Sequence, residues 1–359
     1  MIKKVQWLCL ELTNCCNFDC AFCGNQFMTR KKGFMDKTLA KRIITEATQH
    51  DFCEGIVLHM MGDPLLYADL FEILESAHKI NAPILLVTNG SLLKKDVALR
   101  IFEYPPKITV ISYHTGNKDS FKFRNAPISY EEYQKKIFDF IELKFKLKAD
   151  THIEIDSIAT RYKHHDRFKI INSTREFKQF EKEWIGFAKY LKKKYSLRQN
   201  IPSAIVPGTN YLLEDFTFVL KYTYHLWGNM ILPLGTKTDP SCLGSCEMPF
   251  TQCSVLWNGD LSPCPLDYNG ELVFDNVTHK NLVEAFNSTK AEEIMQQLIQ
   301  KTEVPQKCHR CMSSIKNMDG TKYVAAGQTL ELSDLHHLKI EAGMKDFKQK
   351  LKRIFRIST

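Results

Sequence analysis

The chain has 359 residues, 44% of them hydrophobic and 25% charged, and a formal net charge of +8. That balance belongs to a globular protein and excludes an intrinsically disordered one, and the length allows one large α/β domain with an appendage or two ordinary domains. Glu11 breaks the short apolar run that follows Lys3 and Lys4, no small-residue cleavage site follows, and no apolar stretch reaches bilayer-spanning length, so a cytoplasmic location is expected.

From residue 5 to about 160, β-rich runs alternate with amphipathic helical runs, the pattern of repeated βα units around a parallel sheet. Strands are expected at 5–12, 55–61, 83–88, 108–114 and 152–159, apolar nearly throughout as strands covered on both faces should be. Helices are expected to start near Asp36, Tyr67, Leu93, Ser129 and Ser173; the last two open with capping-box spacing to Glu132 and Glu176. A sixth strand is expected within 216–227, whereas 195–215 carries no clear pattern. After Pro240 the texture changes to cysteine, glycine and proline turns with short strands, followed by one helix around Leu282 to Ile299. The expected organisation is therefore a core at 1–240, with the boundary falling near 235–242, a small Cys-rich α+β domain at 241–330 and a tail at 331–359.

The tail concentrates the positive charge, with Lys345, Lys348, Lys350, Lys352, Arg353 and Arg356 set among Phe347, Leu351, Ile354 and Phe355. This is the pattern of a basic amphipathic helix, either a solvated terminal helix or an element for an anionic surface or partner. It carries too few aromatics for a nucleic-acid groove.

A reducing compartment makes the 12 cysteines metal ligands more readily than disulfides. Cys16, Cys20 and Cys23 lie in one short loop after the first expected strand, the edge of a βα barrel where chemistry is placed. Three thiolates can hold three irons of a 4Fe-4S cube and leave the fourth iron open; a zinc site or buried thiols are the plain alternatives. The CxxxCxxC spacing, with Phe22 before the last cysteine, resembles the signature loop of the radical S-adenosylmethionine (SAM) superfamily. That resemblance implies a partial (β/α)6 TIM-like barrel, bound SAM, a SAM-binding 4Fe-4S cluster, and a flavodoxin- or ferredoxin-type electron donor.

The same resemblance extends to weaker motifs. Met61-Gly62-Asp63 stands where the family places a glycine-glycine-glutamate element on the methionyl ammonium, with Met61 and Asp63 replacing the usual residues. Thr88-Asn89-Gly90 is similar to the family's TNG element near SAM, and Ser112 falls where a polar residue often meets the ribose. Each of these is also an ordinary turn or strand residue.

Cys246, Cys264, Cys308 and Cys311 form a second set suited to a tetrahedral site of four sulfurs, which fits zinc or iron-sulfur. Beside the first loop it resembles the SPASM auxiliary-cluster domain or its shortened twitch form, which implies one auxiliary 4Fe-4S cluster. Cys242 and Cys253 are spare thiols, and Cys9 and Cys53 read as core.

The resemblance implies radical cleavage of SAM, hydrogen-atom abstraction and a two-electron oxidation of a sugar or cyclitol-type alcohol. Radical modification of a ribosomally made peptide and a non-catalytic metal-stabilised binding protein are the alternatives. Tyr113, His114, Arg161 and His225, near expected strand ends, are the candidates for handling the carbinol proton.

Overall fold

The computed structural model describes residues 4–160, 167–221, 226–232, 234–244, 246–319 and 322–323. In chain order the early elements are β1 (Val5–Leu10), α1 (Lys37–Gln49), β2 (Cys53–Leu58), α2 (Leu70–Lys79), β3 (Ile84–Thr88), α3 (Lys95–Glu103) and β4 (Ile108–Ser112). They are followed by α4 (Lys118–Phe121), α5 (Tyr130–Leu147), β5 (His152–Ile158), α6 (Thr174–Lys194), β6 (Gly208–Leu213) and β7 (Phe216–Lys221). The later part holds α7 (Leu226–Asn229), β8 (Thr236–Leu243), α8 (Met248–Thr251), β9 (Gln252–Val255), β10 (Asp260–Ser262) and β11 (Asp275–Asn276). Last come α9 (Leu282–Phe286), α10 (Thr289–Gln300), α11 (Gln306–Met312), β12 (Ser313–Asn317) and β13 (Lys322–Tyr323).

The described residues of 1–86 and 225–329 make one compact unit and those of 87–224 another. In the first, β1 pairs in parallel with β2 and β2 with β3. The other edge of β1 is taken by β9, also parallel, with Leu8 opposite Cys253, and β10 and β11 continue antiparallel from there. A small antiparallel sheet of β8, β12 and β13 completes this unit.

In the second unit β4, β5 and β7 run parallel, and β6 folds back antiparallel on β7. The unpatterned stretch of the sequence thus holds half of a hairpin turning at Glu214 and Asp215. Its polar-tipped alternation is that of an edge strand, which carries a weak periodic signal. One face of this sheet is aromatic: Phe218 packs edge-on to Phe180 at 5.1 Å and lies 5.2 Å from Trp184, which is fully buried. Truncating such a ring costs about 3–5 kcal/mol, so this layer fixes which face of β4, β5 and β7 is left for polar residues. β1, β2, β3, β4, β5 and β7 with their helices are the parts of the expected partial (β/α)6 barrel.

The helix starts follow their caps. Asp36 accepts from Leu39 N–H at 3.0 Å, Ser129 from Glu132 N–H at 3.1 Å, and Ser173 from Glu176 N–H at 3.1 Å. Glu176 reaches back as expected, accepting from the amides of Ile171 and Asn172, whereas Glu132 pairs with Lys136 at 2.7 Å instead. The single helix expected around Leu282 to Ile299 is two, because Asn281 caps α9 and Ser288 caps a fresh start for α10. Arg161, His225, most of 320–330 and the basic tail at 331–359 lie outside the described residues, as does the side chain of Cys242.

Candidate cofactor and cluster sites

The first unit carries both cysteine sets. β1 ends at Leu10, and the next residue, Glu11, is fully buried and gripped by Arg30 through two hydrogen bonds of 2.7 and 2.5 Å. Between those two residues the loop closes on itself. Asn14 donates to Lys31 O and accepts from Gly33 N–H, both at 2.8 Å, and Thr13 donates to Gly33 O at 2.8 Å. Cys16, Cys20 and Cys23 stand half-buried inside this closed loop. Cys23 N–H donates to Cys20 O at 3.0 Å, and the Cys23 sulfur accepts from Asn25 N–H at 3.4 Å, so the donor set presents itself as thiolates want to be presented.

Met61-Gly62-Asp63 docks directly on that loop. Asp63 N–H donates to Cys15 O at 2.8 Å, and a Cβ on Gly62 would sit 2.3 Å from Thr13 O and 2.5 Å from Cys15 O. Glycine is required because two backbones meet here. Asp63 is 2% exposed, and one of its oxygens caps the following turn by accepting from Leu65 N–H at 2.9 Å. Phe22 and Met61 are buried, Met61 in an apolar cluster with Met60, Leu256 and Tyr268.

Two elements not legible in the sequence join this loop to the second set. Trp227 donates its indole N–H to Phe22 O at 2.8 Å and packs on Gly24, where a Cβ would meet its ring at 2.8 Å. Trp227, Gly228 and Asn229 all hold left-handed backbone, with φ of 49°, 65° and 62°, so α7 is a tight bend rather than a helix. Asn229, 4% exposed, then spends its amide on three carbonyls, Arg310 O at 2.7 Å, Ser313 O at 3.1 Å and Cys311 O at 3.3 Å. Those are the terminal carbonyls of α11, which places Cys308 and Cys311 on one face. Asn229→Ala is therefore expected to lower stability by about 1–3 kcal/mol, read by denaturant unfolding, and to speed iron loss from the carboxy-terminal site on chelator challenge.

Cys246, Cys264, Cys308 and Cys311 line one apolar cavity together with Gly228 and Lys307. Cys264 sits on a turn stapled by fully buried Asp267, which accepts from Ser262 Oγ and from the amides of Glu271 and Leu272 and pairs with Lys307 at 3.2 Å. Burial drives the thiols upward, Cys308 to about 12 and Cys311 to about 11, and the neighbouring sulfurs add to it by mutual repulsion. Four such thiols ionise together only with a cation among them. Cys9 and Cys53 are core residues whose thiols burial pushes up to about 12, and Cys253 is buried on β9 with them, apart from the cavity.

In the second unit Thr88 Oγ accepts from Gly90 N–H at 3.1 Å and Asn89 Oδ1 from Ser91 N–H at 2.9 Å, so this TNG stretch is a doubly bonded turn. Ser112, at the end of β4, has its carbonyl held by the buried guanidinium of Arg124 at 2.6 Å. Tyr113, one of the candidates for the carbinol proton, follows Ser112 directly. Strand geometry points it opposite to Ser112, where it is fully buried between Tyr133 and Trp184, its hydroxyl on Tyr130 at 3.1 Å and its acidity suppressed by burial. Tyr113 is a packing residue. His114 has left-handed backbone (φ 42°) and donates its N–H to Asp156 O at 2.9 Å.

Sequence reasoning also passed over the polar face of β5 and β7. Ser112 is in register with Asp156, and Lys221 forms an ion pair with Asp156 Oδ2. Glu154, two residues before Asp156, shares its face.

Comparison with known proteins fits this geometry. Residues 10–162 match the Radical SAM superfamily model, and residues 246–312 match the model of the SPASM iron-sulfur cluster-binding domain. The chain thus carries a radical SAM domain and a SPASM-type domain, and the cofactors that go with these domains are SAM, a 4Fe-4S cluster and an auxiliary cluster. It is 29% identical over 125 residues, 34% of this chain and 50% of the relative, to an S-adenosyl-L-methionine-dependent 2-deoxy-scyllo-inosamine dehydrogenase of Niallia circulans. To a probable GTP 3',8-cyclase of Methanothermobacter thermautotrophicus it is 24% identical over 48% of this chain and 55% of the relative. The chain thus spans about half the length of these curated relatives.

Among solved structures, anSMEcpe with bound AdoMet aligns over 98% of both chains with a TM-score of 0.54 at 16% identity. SuiB of Streptococcus suis aligns over 82% of this chain and 68% of its own with a TM-score of 0.53 at 13% identity. Both speak to the fold. Among the described residues no helix is long and apolar enough to cross a membrane.

Proposed function

We propose that this protein is a radical SAM dehydrogenase that oxidises an alcohol of a sugar or cyclitol by two electrons. Residues 1–240 form its core, 241–330 its auxiliary-cluster domain and 331–359 a basic tail. Cys16, Cys20 and Cys23 hold the SAM-binding cluster, and Cys246, Cys264, Cys308 and Cys311 the auxiliary one. The bound groups supply a 5'-deoxyadenosyl radical for hydrogen-atom abstraction and an acceptor for the electron left on the substrate.

The observation that carries the reading is the second set: four thiols ringing one cavity. Among the described residues no three His, Cys, Asp or Glu side chains converge as one metal ion needs, whereas a cube's ligands stand wider apart than those of zinc, whose Zn–S bonds are about 2.3 Å. The chain's own residues do the rest. Asp63 N–H and Gly62 fix the cysteine loop, Phe22 and Met61 keep water from it, and Asn229 holds the CxxC helix in place. The dehydrogenase relative supports the alcohol substrate, and a flavodoxin- or ferredoxin-type protein is the proposed reductant.

The test is anaerobic reconstitution followed by SAM, dithionite and a set of cyclitols that includes 2-deoxy-scyllo-inosamine. About eight irons per chain, 5'-deoxyadenosine, and a ketone formed in step with it are expected. No deoxyadenosine from the loaded wild type overturns the radical reading; deoxyadenosine with a modified peptide and no ketone replaces the alcohol by a peptide substrate.

A further inference from the structure

We propose that Asp156, Glu154 and Lys221 form the substrate-binding face of the second unit and take a neutral polyol through its hydroxyl groups. This deepens the dehydrogenase reading above by naming the residues that would recognise the alcohol.

The argument starts from the sheet. In β5 alternate residues share a face, so His152, Glu154 and Asp156 stand together, opposite Ile153 and Ile155. Parallel register adds Ser112 from β4, opposite Asp156, and Thr217, Val219 and Lys221 from β7, opposite Glu154, Asp156 and Ile158. The aromatic rings of α6 cover the other face through Phe216 and Phe218. Two neighbouring strands that place two carboxylates and an ammonium on one face spend considerable desolvation energy there.

Asp156 is 6% exposed, yet only its Oδ2 is occupied, by Lys221, while its Oδ1 is buried with no donor among the described residues. A buried acceptor left open next to Ser112, on the face away from the aromatic core, is a place for a ligand hydroxyl. Lys221 keeps 46% of its side-chain exposure, so a ligand would approach the group from the Lys221 side. His152 is already engaged, its Nε2 on Thr217 Oγ1 at 2.8 Å.

Charge selects the ligand. Burial, then the Asp156 charge, push Glu154 up to about 8 against the opposing pull of Lys221, so near neutrality Glu154 holds its proton and lies against Asp156. Asp156 and Lys221 then cancel, and no formal charge is left for an anion or a cation to answer. Hydroxyl groups suit what remains once the Glu154 proton is shared with Asp156: the unfilled lone pairs of the two carboxyl groups and an ammonium donor.

The experiment is calorimetric titration of the reconstituted, SAM-loaded full chain, without reductant, with scyllo-inositol, myo-inositol and D-glucose. Saturable binding of at least one is expected. Its affinity should fall at least tenfold in both Asp156→Asn and Lys221→Met, each titrated at a temperature where its circular dichroism matches that of the folded wild type. Wild-type protein that binds none of the three, or variants that bind as wild type does, overturn the assignment. Because no reductant is present, this outcome is independent of deoxyadenosine formation, which judges the radical reading.

Discussion

Gly62→Ala is expected to cost the amino-terminal cluster and spare the carboxy-terminal one, so that reconstituted iron falls from about eight to about four per chain and SAM cleavage is lost. The added methyl carbon would lie 2.3 Å from Thr13 O and 2.5 Å from Cys15 O, where ordinary contact begins at 3.4 Å. Both neighbours are backbone, so no rotamer change relieves the clash. Either the Asp63 N–H to Cys15 O bond opens or the cysteine loop moves, and each displaces Cys16. Gly186→Ala is the matched control: nothing lies within 4 Å of a Cβ there, and in mid-helix alanine is favoured by about 0.5–1 kcal/mol. Eight irons and undiminished deoxyadenosine in Gly62→Ala would refute the docking role.

Arg30→Met is expected to be the most damaging single change for stability. Glu11 has a side chain fully removed from water and Arg30 one that is 13% exposed, and the guanidinium also donates to Tyr268 O at 2.6 Å. Removing one partner of such a pair leaves a buried charge and costs about 3–5 kcal/mol. Glu11 also accepts from Trp257 N–H at 3.1 Å, and that contact loosens with the loss of Arg30. Urea unfolding should show the loss, and the double change Glu11→Leu with Arg30→Met should recover most of it. A double variant as unstable as the single one would show that the charge pair is not the cause.

What the sequence disclosed follows from how local each signal is. The βα alternation, the caps at Asp36, Ser129 and Ser173 and the CxxxCxxC loop are written in residues a few positions apart, and the strands and caps stand where they were expected. CxxC on α11 is local too. Trp227 over Phe22, Asn229 on the end of α11 and Arg30 on Glu11 are pairings made by the fold, and nothing near them in the chain announces them. Position at a strand end does not fix direction: alternation turns the Tyr113 ring into the aromatic layer. Asp156 and Glu154 were hidden in HIEIDSI, a strand whose apolar residues dominate the eye. Period-two reading of that segment, applied strictly, separates the carboxylates from the isoleucines.

The parallel pairing of β1 with β9 bears on the order of synthesis. Trp257 N–H reaches Glu11 across 246 positions of chain, so the first strand emerges from the ribosome long before the neighbour that covers its free edge. Contacts this remote form slowly and leave an unpaired edge open to aggregation meanwhile. Until residue 255 is made, the cysteine loop hangs from a sheet whose β1 edge is still uncovered.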